Sequence, residues 1–142
     1  MDRETIEKIL NFLKEKENKE FPQKWNLIDK LENHPDDIQY KYEGDLELSN
    51  TNITKLPNDL YVEGGLFLMG CSQLTELPDE LYVGGNLVLN DSNITELPYS
   101  LYVGTNLYTG NTPLANKHTD DEIIEMIDSN GGIIIGLIMR YV

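Results

Sequence analysis

The sequence predicts an α/β fold: a solenoid of parallel β coils with a helical cap at its N-terminal end and a helix-strand cap at its C-terminal end. Three observations carry this prediction. Residues 44–114 repeat one phrase three times and begin a fourth, with the leading leucines Leu46, Leu66, Leu87 and Leu107 spaced 20, 21 and 20 residues apart. Each copy opens on a leucine pair flanking one variable residue (Leu46/Leu48, Leu66/Leu68, Leu87/Leu89), the period-two alternation of a short strand with one buried face. The segments on either side show helical periodicity, as the ends of a stack require, because a terminal coil exposes its leucines unless something covers them.

The elements follow in chain order. Residues 2–20 place Ile6, Ile9, Leu10 and Leu13 on one helical face among interleaved Lys and Glu. Pro22 can open a second helix with Trp25, Ile28 and Leu31 on one side. Both are assigned to the N-terminal cap. A partner-binding or membrane-surface role suits them less, since interfacial helices usually carry a basic polar face. His34-Pro35-Asp36-Asp37 breaks the helix, and residues 38–42 lead in extended toward the first strand.

Within each coil, Ile53, Leu74 and Ile94 return inward after a polar turn, and a Leu-Pro pair (56–57, 77–78, 97–98) redirects the chain. The triplets Leu60-Tyr61-Val62, Leu81-Tyr82-Val83 and Leu101-Tyr102-Val103 predict a second extended segment on the opposite side of the coil. Gly64-Gly65, Gly84-Gly85 and Gly104-Thr105 mark the corner into the next strand. After the last repeat, residues 112–118 read as a loop. Thr119 and Glu122 form a capping box for a helix over 120–129, with Ile123, Met126 and Ile127 buried and Asn130-Gly131 ending it. The apolar run 133–141 reads as one closing strand, joined to residues 107–109 by a right-handed parallel crossover. The chain thus reads as a single domain over 1–142: a helical cap (1–43), repeats (44–114) and a helix-strand cap (115–142).

A period of roughly 20 to 29 residues built on L-x-L followed by an inward apolar residue is the signature of leucine-rich repeats. On these motifs, over about half of its length, the chain resembles the short, Leu-Pro-rich leucine-rich repeat proteins of bacteria and bacteriophages. It departs from the commonest pattern at the turn position usually held by asparagine, where Thr51, Cys71, Ser92 and Thr112 stand. All four are small and can bond a buried backbone group. The resemblance implies a non-enzymatic module that presents its sheet to a partner protein.

Composition sets bounds on the function. The net charge is −14, and residues 44–114 carry nine acids against Lys55 alone. Such a field repels nucleic-acid phosphates and anionic lipid and speeds association with a basic partner; it also serves plain solubility. The single Cys71 cannot form an internal disulfide and reads as a buried structural thiol in a reducing, intracellular setting. No secretory signal is seen at Met1-Asp2-Arg3-Glu4, and the apolar run 131–139 is about half the length a bilayer span needs. A soluble protein of the cytoplasm, or of a host's cytoplasm if viral, is expected.

Catalytic and metal-binding patterns are not evident. His34 and His118 lie in loops without a nucleophile motif, and neither they nor Cys71 have metal-ligand spacing. Residues 128–132 resemble a calcium loop only faintly, since Met139 stands where the closing glutamate belongs. The carboxylate pairs Asp79-Glu80 and Asp120-Asp121 suit turns and helix starts better than acid–base chemistry. No enzyme activity, metal or cofactor is expected.

Surface remains. The middle positions of the L-x-L strands stack as Glu47, Phe67, Val88 and Tyr108, with Met69 beside them. An aromatic and aliphatic stripe facing water marks either a binding site or a face covered by another part of the chain. Tyr61, Tyr82 and Tyr102 form a second ladder, either self-stacking and structural or available to a partner. The expected function is that of a small acidic adaptor or inhibitor, monomeric, that binds one protein through Glu47, Phe67, Met69, Val88 and Tyr108. Two variants stay open: a phage inhibitor of a host defence or nucleic-acid enzyme using its acidic surface, and a self-associating structural or virion component.

Overall fold

In a computed structural model, which describes residues 2–9 and 22–140, the alternating leucines wind the backbone into a parallel β solenoid. Every coil contributes one short strand to each of two five-stranded parallel sheets. One sheet runs β2 (Leu46–Glu47), β4 (Leu66–Phe67), β6 (Leu87–Val88), β8 (Leu107–Tyr108) and β10 (Ile138–Met139). The other runs β1 (Tyr40–Tyr42), β3 (Leu60–Val62), β5 (Tyr82–Val83), β7 (Tyr102–Val103) and β9 (Ile133–Ile134). Equivalent residues pair across coils: Leu46 with Leu66, Leu66 with Leu87, Leu87 with Leu107.

This register lines up the core. Leu46, Leu66, Leu87 and Leu107 have no exposed surface, and neither do Leu48, Leu68 and Leu89, the returning Ile53, Leu74 and Ile94, or the facing Val62, Val83 and Val103. Full burial of each such side chain contributes about 1.5–3 kcal/mol. Coil stacking makes this possible, since each leucine is covered by its copies in the neighbouring coils.

The turns after three of the four L-x-L strands are held by their small residue, whereas Ser92, expected to do the same, is buried with its Oγ unpartnered among the described residues. Thr51 Oγ1 donates to the Leu48 carbonyl at 2.7 Å, Thr112 Oγ1 donates to that of Thr109 at 2.7 Å, and Cys71 Sγ donates back one coil to Leu48 O at 3.0 Å. The residue before each of these takes a left-handed conformation: Asn50, Gly70, Asp91 and Asn111 have φ of 59°, 73°, 61° and 54°. These are the residue types that tolerate it.

At the N-terminal end, α2 (Pro22–Glu32) packs Leu31, fully buried, with Leu27 and Ile28 against the first coil. Residues 3–9 form a helix, α1, whose Ile6 and Ile9 are exposed, so among the described residues the capping contact belongs to α2. Leu10 and Leu13 lie outside the described residues, as does the Trp25 side chain. The expected lead-in is itself a paired strand, β1, in register with β3.

Two expectations about the C-terminal segment are corrected. Residues 113–117 form a short helix, α3 (Pro113–Lys117), where a loop was predicted, because Thr112 Oγ1 accepts from the Ala115 N–H at 3.1 Å and Pro113 needs no donor at the first turn. The run 133–141 is not a single strand. It bends at Gly136 into β9, which pairs with β7, and β10, which pairs with β8. The last segment is therefore a further coil of the solenoid, with Ile134 beneath Val103 and Ile138 beneath Leu107.

Helix α4 (Asp120–Ser129) occupies the stretch where earlier coils carry Leu-Pro. It begins with the predicted capping box, Thr119 N–H to Glu122 Oε1 at 3.1 Å and Glu122 N–H to Thr119 Oγ1 at 3.2 Å. It ends with the Gly132 N–H donating to the Ile127 carbonyl at 2.8 Å, after Gly131 turns left-handed at φ 75°. Arg140 ties this addition down, donating to Asp120 Oδ1 at 2.7 Å and to the Ala115 and His118 carbonyls at 2.6 Å each.

Candidate interaction surface

The outward side chains of the L-x-L sheet form one row. Pairing sets Glu47 beside Phe67, Phe67 beside Val88, Val88 beside Tyr108 and Tyr108 beside Met139. Four of these were predicted. Met139 is a fifth member, visible only once Ile138-Met139 is recognised as the strand of a further coil.

Exposure along the row is uneven. Glu47 is exposed; Phe67, Tyr108 and the neighbouring Met69 are half-buried. Val88 is a correction: it was expected to face water, yet only 6% of its surface is accessible. Its side chain points outward, but in-register stacking places a ring on either side, from Phe67 and Tyr108. The rings and Met139 are therefore the apolar surface that a partner could meet, and Val88 is the floor between them.

Gly65 fixes the Phe67 ring. A Cβ at Gly65 would lie 2.9 Å from Phe67 Cε2, so the ring rests over a position that has no side chain. Along the same column, side chains link successive coils: the Gly65 N–H donates to Asp45 Oδ1 at 2.7 Å, the Asn106 N–H to Asn86 Oδ1 at 2.9 Å, and the Leu137 N–H to Asn106 Oδ1 at 2.9 Å. Gly65 interrupts this ladder and makes room for the aromatic. Asn90, in the next outward column, is 7% exposed and its Oδ1 accepts no hydrogen bond among the described residues.

The acidic end of the row borders a cleft of about 580 Å³ between α2 and the first coil, lined in part by Lys30, Tyr42, Asp45 and Glu47. Glu47 Oε1 accepts from the Ser49 N–H at 2.7 Å, which pins the carboxylate to its own strand. The stripe thus runs from carboxylates beside Lys30 to aromatic and thioether surface.

The opposite sheet carries the tyrosine ladder. Tyr61, Tyr82 and Tyr102 are half-buried and stack face to face, with ring centroids 4.2 and 4.5 Å apart and planes within 2°. Lys41 continues the column above Tyr61, its Nζ 5.8 Å from the ring centroid, a cation–π distance. A hydrogen bond with Tyr61, the largest cause, raises the pKa of the Tyr82 hydroxyl, and desolvation adds to this. The ring faces are taken up by one another, so the structural role the sequence allowed is met, and edges and hydroxyls are what remain for solvent.

The histidines and paired carboxylates have local partners. His34 Nε2 lies 2.7 Å from the Ile38 carbonyl, its ring edge-on to Tyr40. His118 Nδ1 lies 3.5 Å from Glu122 Oε2, and Asp120 is bound by Arg140. Hydrogen bonds from the Thr119 N–H and hydroxyl, followed by the His118 contact, hold the Glu122 carboxyl below the usual range. Among the described residues no group of three or more His, Cys, Asp or Glu is placed to hold a metal ion, and no helix is long and apolar enough to cross a membrane. No family model, curated protein or solved structure matches the chain.

Proposed function

We propose that the chain is a non-enzymatic protein-binding module whose L-x-L sheet docks a partner across Phe67, Tyr108 and Met139, with Asp45 and Glu47 at one end of the contact. The observation that carries this reading is the unbroken outward row Glu47, Phe67, Val88, Tyr108, Met139, pinned in register by backbone pairing and aromatic at two positions. Aromatic anchors around a desolvated centre are the usual makings of an interface hot spot. Val88, already shielded by its neighbours, would be sealed completely by a partner resting on the rings.

The partner has a basic surface. Nine acids against one lysine over residues 44–114 would steer it by charge, so association should slow as salt is added while the apolar contact persists. The resemblance to leucine-rich repeat proteins points the same way, as that family generally works by presenting a sheet. A fully buried Cys71 is compatible with a reducing cytoplasm.

Affinity capture from the source cells with the wild-type chain and with an F67A/Y108A double variant, compared side by side, tests the proposal. Partners retained by the wild type and lost by the variant support it. Equal capture by both removes the sheet from consideration.

A further inference from the structure

The two ends of the solenoid are not alike. Leu31 of α2 is buried against the first coil; all four end strands are paired on one side only, but β1 and β2 carry Lys41 and Glu47 while β9 and β10 carry no charge. The Ile133 and Ile135 N–H groups donate to the carbonyls of Leu101 at 2.7 Å and Val103 at 3.0 Å. The Leu137 and Met139 carbonyls accept from the N–H groups of Leu107 at 2.9 Å and Thr109 at 2.8 Å. Backbone groups of successive strand residues point to alternate sides, so those of Ile134 and Ile138 face away from the stack. An edge of this kind is a template for another strand.

The side chains on this edge are apolar. Ile133, Ile135 and Leu137 are 54%, 64% and 69% exposed, more than half of each surface. Residues 97–116 and 131–139 contain no charged side chain, and the guanidinium of Arg140 is already bound to Asp120 and two carbonyls. In a chain of net charge −14, these strands offer a like-charged copy a neutral approach.

We infer that this edge is a self-complementary dimer interface, in which a second copy of the chain adds its own residues 133–139 antiparallel about a two-fold axis at Gly136. The register is fixed by the backbone. Pairing about Gly136 sets Ile134 opposite Ile138 of the second copy, and these are the two residues whose N–H and C=O groups have no backbone partner among the described residues. It also sets Ile135 opposite Leu137 and Ile133 opposite Met139, apolar against apolar. Slipping by one residue would present groups already bonded to β7 and β8. Gly136 lies at the corner between the two sheets, so a two-fold axis there exchanges the flanking strands, laying β9 of one copy along β10 of the other.

The contact extends the coil-to-coil interface by one more strand. It closes at two copies, because an isologous contact uses the same surface on both, and the opposite end differs, with α2 packed on the first coil and Lys41 and Glu47 on its edge strands. This departs from the monomer expected from sequence; the interface shares Met139 with the proposed partner-binding row and leaves Phe67 and Tyr108 to the partner.

Sedimentation of the full chain over a range of concentrations, at low and moderate salt, tests the inference. A monomer–dimer equilibrium is expected, and screening of the like charges on the two copies should strengthen it at moderate salt. In an I135K/L137K variant, both changes fall on exposed side chains and set like charges opposite each other; the dimer should weaken by about tenfold or more while the thermal melt is unchanged. An I135C/L137C variant should oxidise to a covalent dimer, since non-hydrogen-bonded antiparallel pairs come within disulfide reach. A chain that stays monomeric at every concentration, a dimer indifferent to I135K/L137K, or growth beyond two copies would each overturn the inference.

Discussion

Thr109 occupies the position beneath Leu89, two residues beyond the Leu87–Leu107 pair, and both side chains are completely buried. In the column Leu48, Leu68, Leu89, Thr109 the threonine is the one polar member, and its Oγ1 has no hydrogen-bond partner among the described residues. A buried hydroxyl without a partner costs about 1–3 kcal/mol. Replacing it with the isosteric valine removes that cost and leaves the volume unchanged. T109V should therefore be more stable than the parent by about 1 kcal/mol, read as a rise in the midpoint of thermal or urea unfolding. A lower midpoint would mean that the hydroxyl is bonded in solution.

Corner spacing gives a prediction of opposite sign. A Cβ at Gly104 would lie 2.1 Å from the Gly84 carbonyl oxygen, a backbone atom that cannot swing aside. G104A should cost about 1–3 kcal/mol or more as adjacent coils are forced apart. Urea unfolding measures it, and an unchanged midpoint would show that the coils are less tightly stacked than their register implies.

The tyrosine column can be tested by separating ring from hydroxyl. Tyr82 stacks on both Tyr61 and Tyr102, and aromatic pairs contribute about 0.5–1.5 kcal/mol each beyond area burial. Y82L should lose about 1–3 kcal/mol through two broken stacks, while Y82F keeps them and stays near the parent. Equal losses in both variants would show that the hydroxyl row, and not the stacking, holds this face.

The capping box predicts a pH dependence. The Glu122 carboxyl sits below its ordinary value, chiefly because it accepts from the Thr119 N–H, with the Thr119 hydroxyl and His118 adding to the effect. A carboxyl with a lowered folded-state pKa contributes stability above its unfolded value, and that contribution disappears as pH falls through the folded one. The protection of α4 amides, taken as exchange relative to the intrinsic rate at each pH, should therefore fall below about pH 4.5, the ordinary glutamate range. An E122Q variant should show a flatter response over the same window. Identical acid responses in parent and variant would assign the transition to other carboxylates.

Much of this architecture is readable from leucine spacing alone, because coils of near-constant length put every inward residue in register with its copies. The last coil was hidden by α3 and α4, which stretch the spacing from Leu107 to Ile138 to 31 residues and take its strand out of phase with the others. With that phase restored, Ile134 and Ile138 align with Val103 and Leu107, and Met139 joins the outward row. The pattern of alternation predicts that Val88 points outward. Its burial depends on the size of its lateral neighbours Phe67 and Tyr108, which matters only once the strands are known to pair in parallel and in register. The helix over 113–117 is a single short turn region whose signal, Thr112 before Pro113, is too brief to stand out from a loop.

The binding role of the L-x-L sheet is tested most directly by measuring capture of the retained partner by the parent chain, by F67A/Y108A and by the ladder variant Y82F. The account predicts that F67A/Y108A loses the partner while still unfolding cooperatively, with a modest fall in melting temperature as Val88 is uncovered, and that Y82F binds like the parent. Undiminished capture by F67A/Y108A, or loss with Y82F instead, would contradict it.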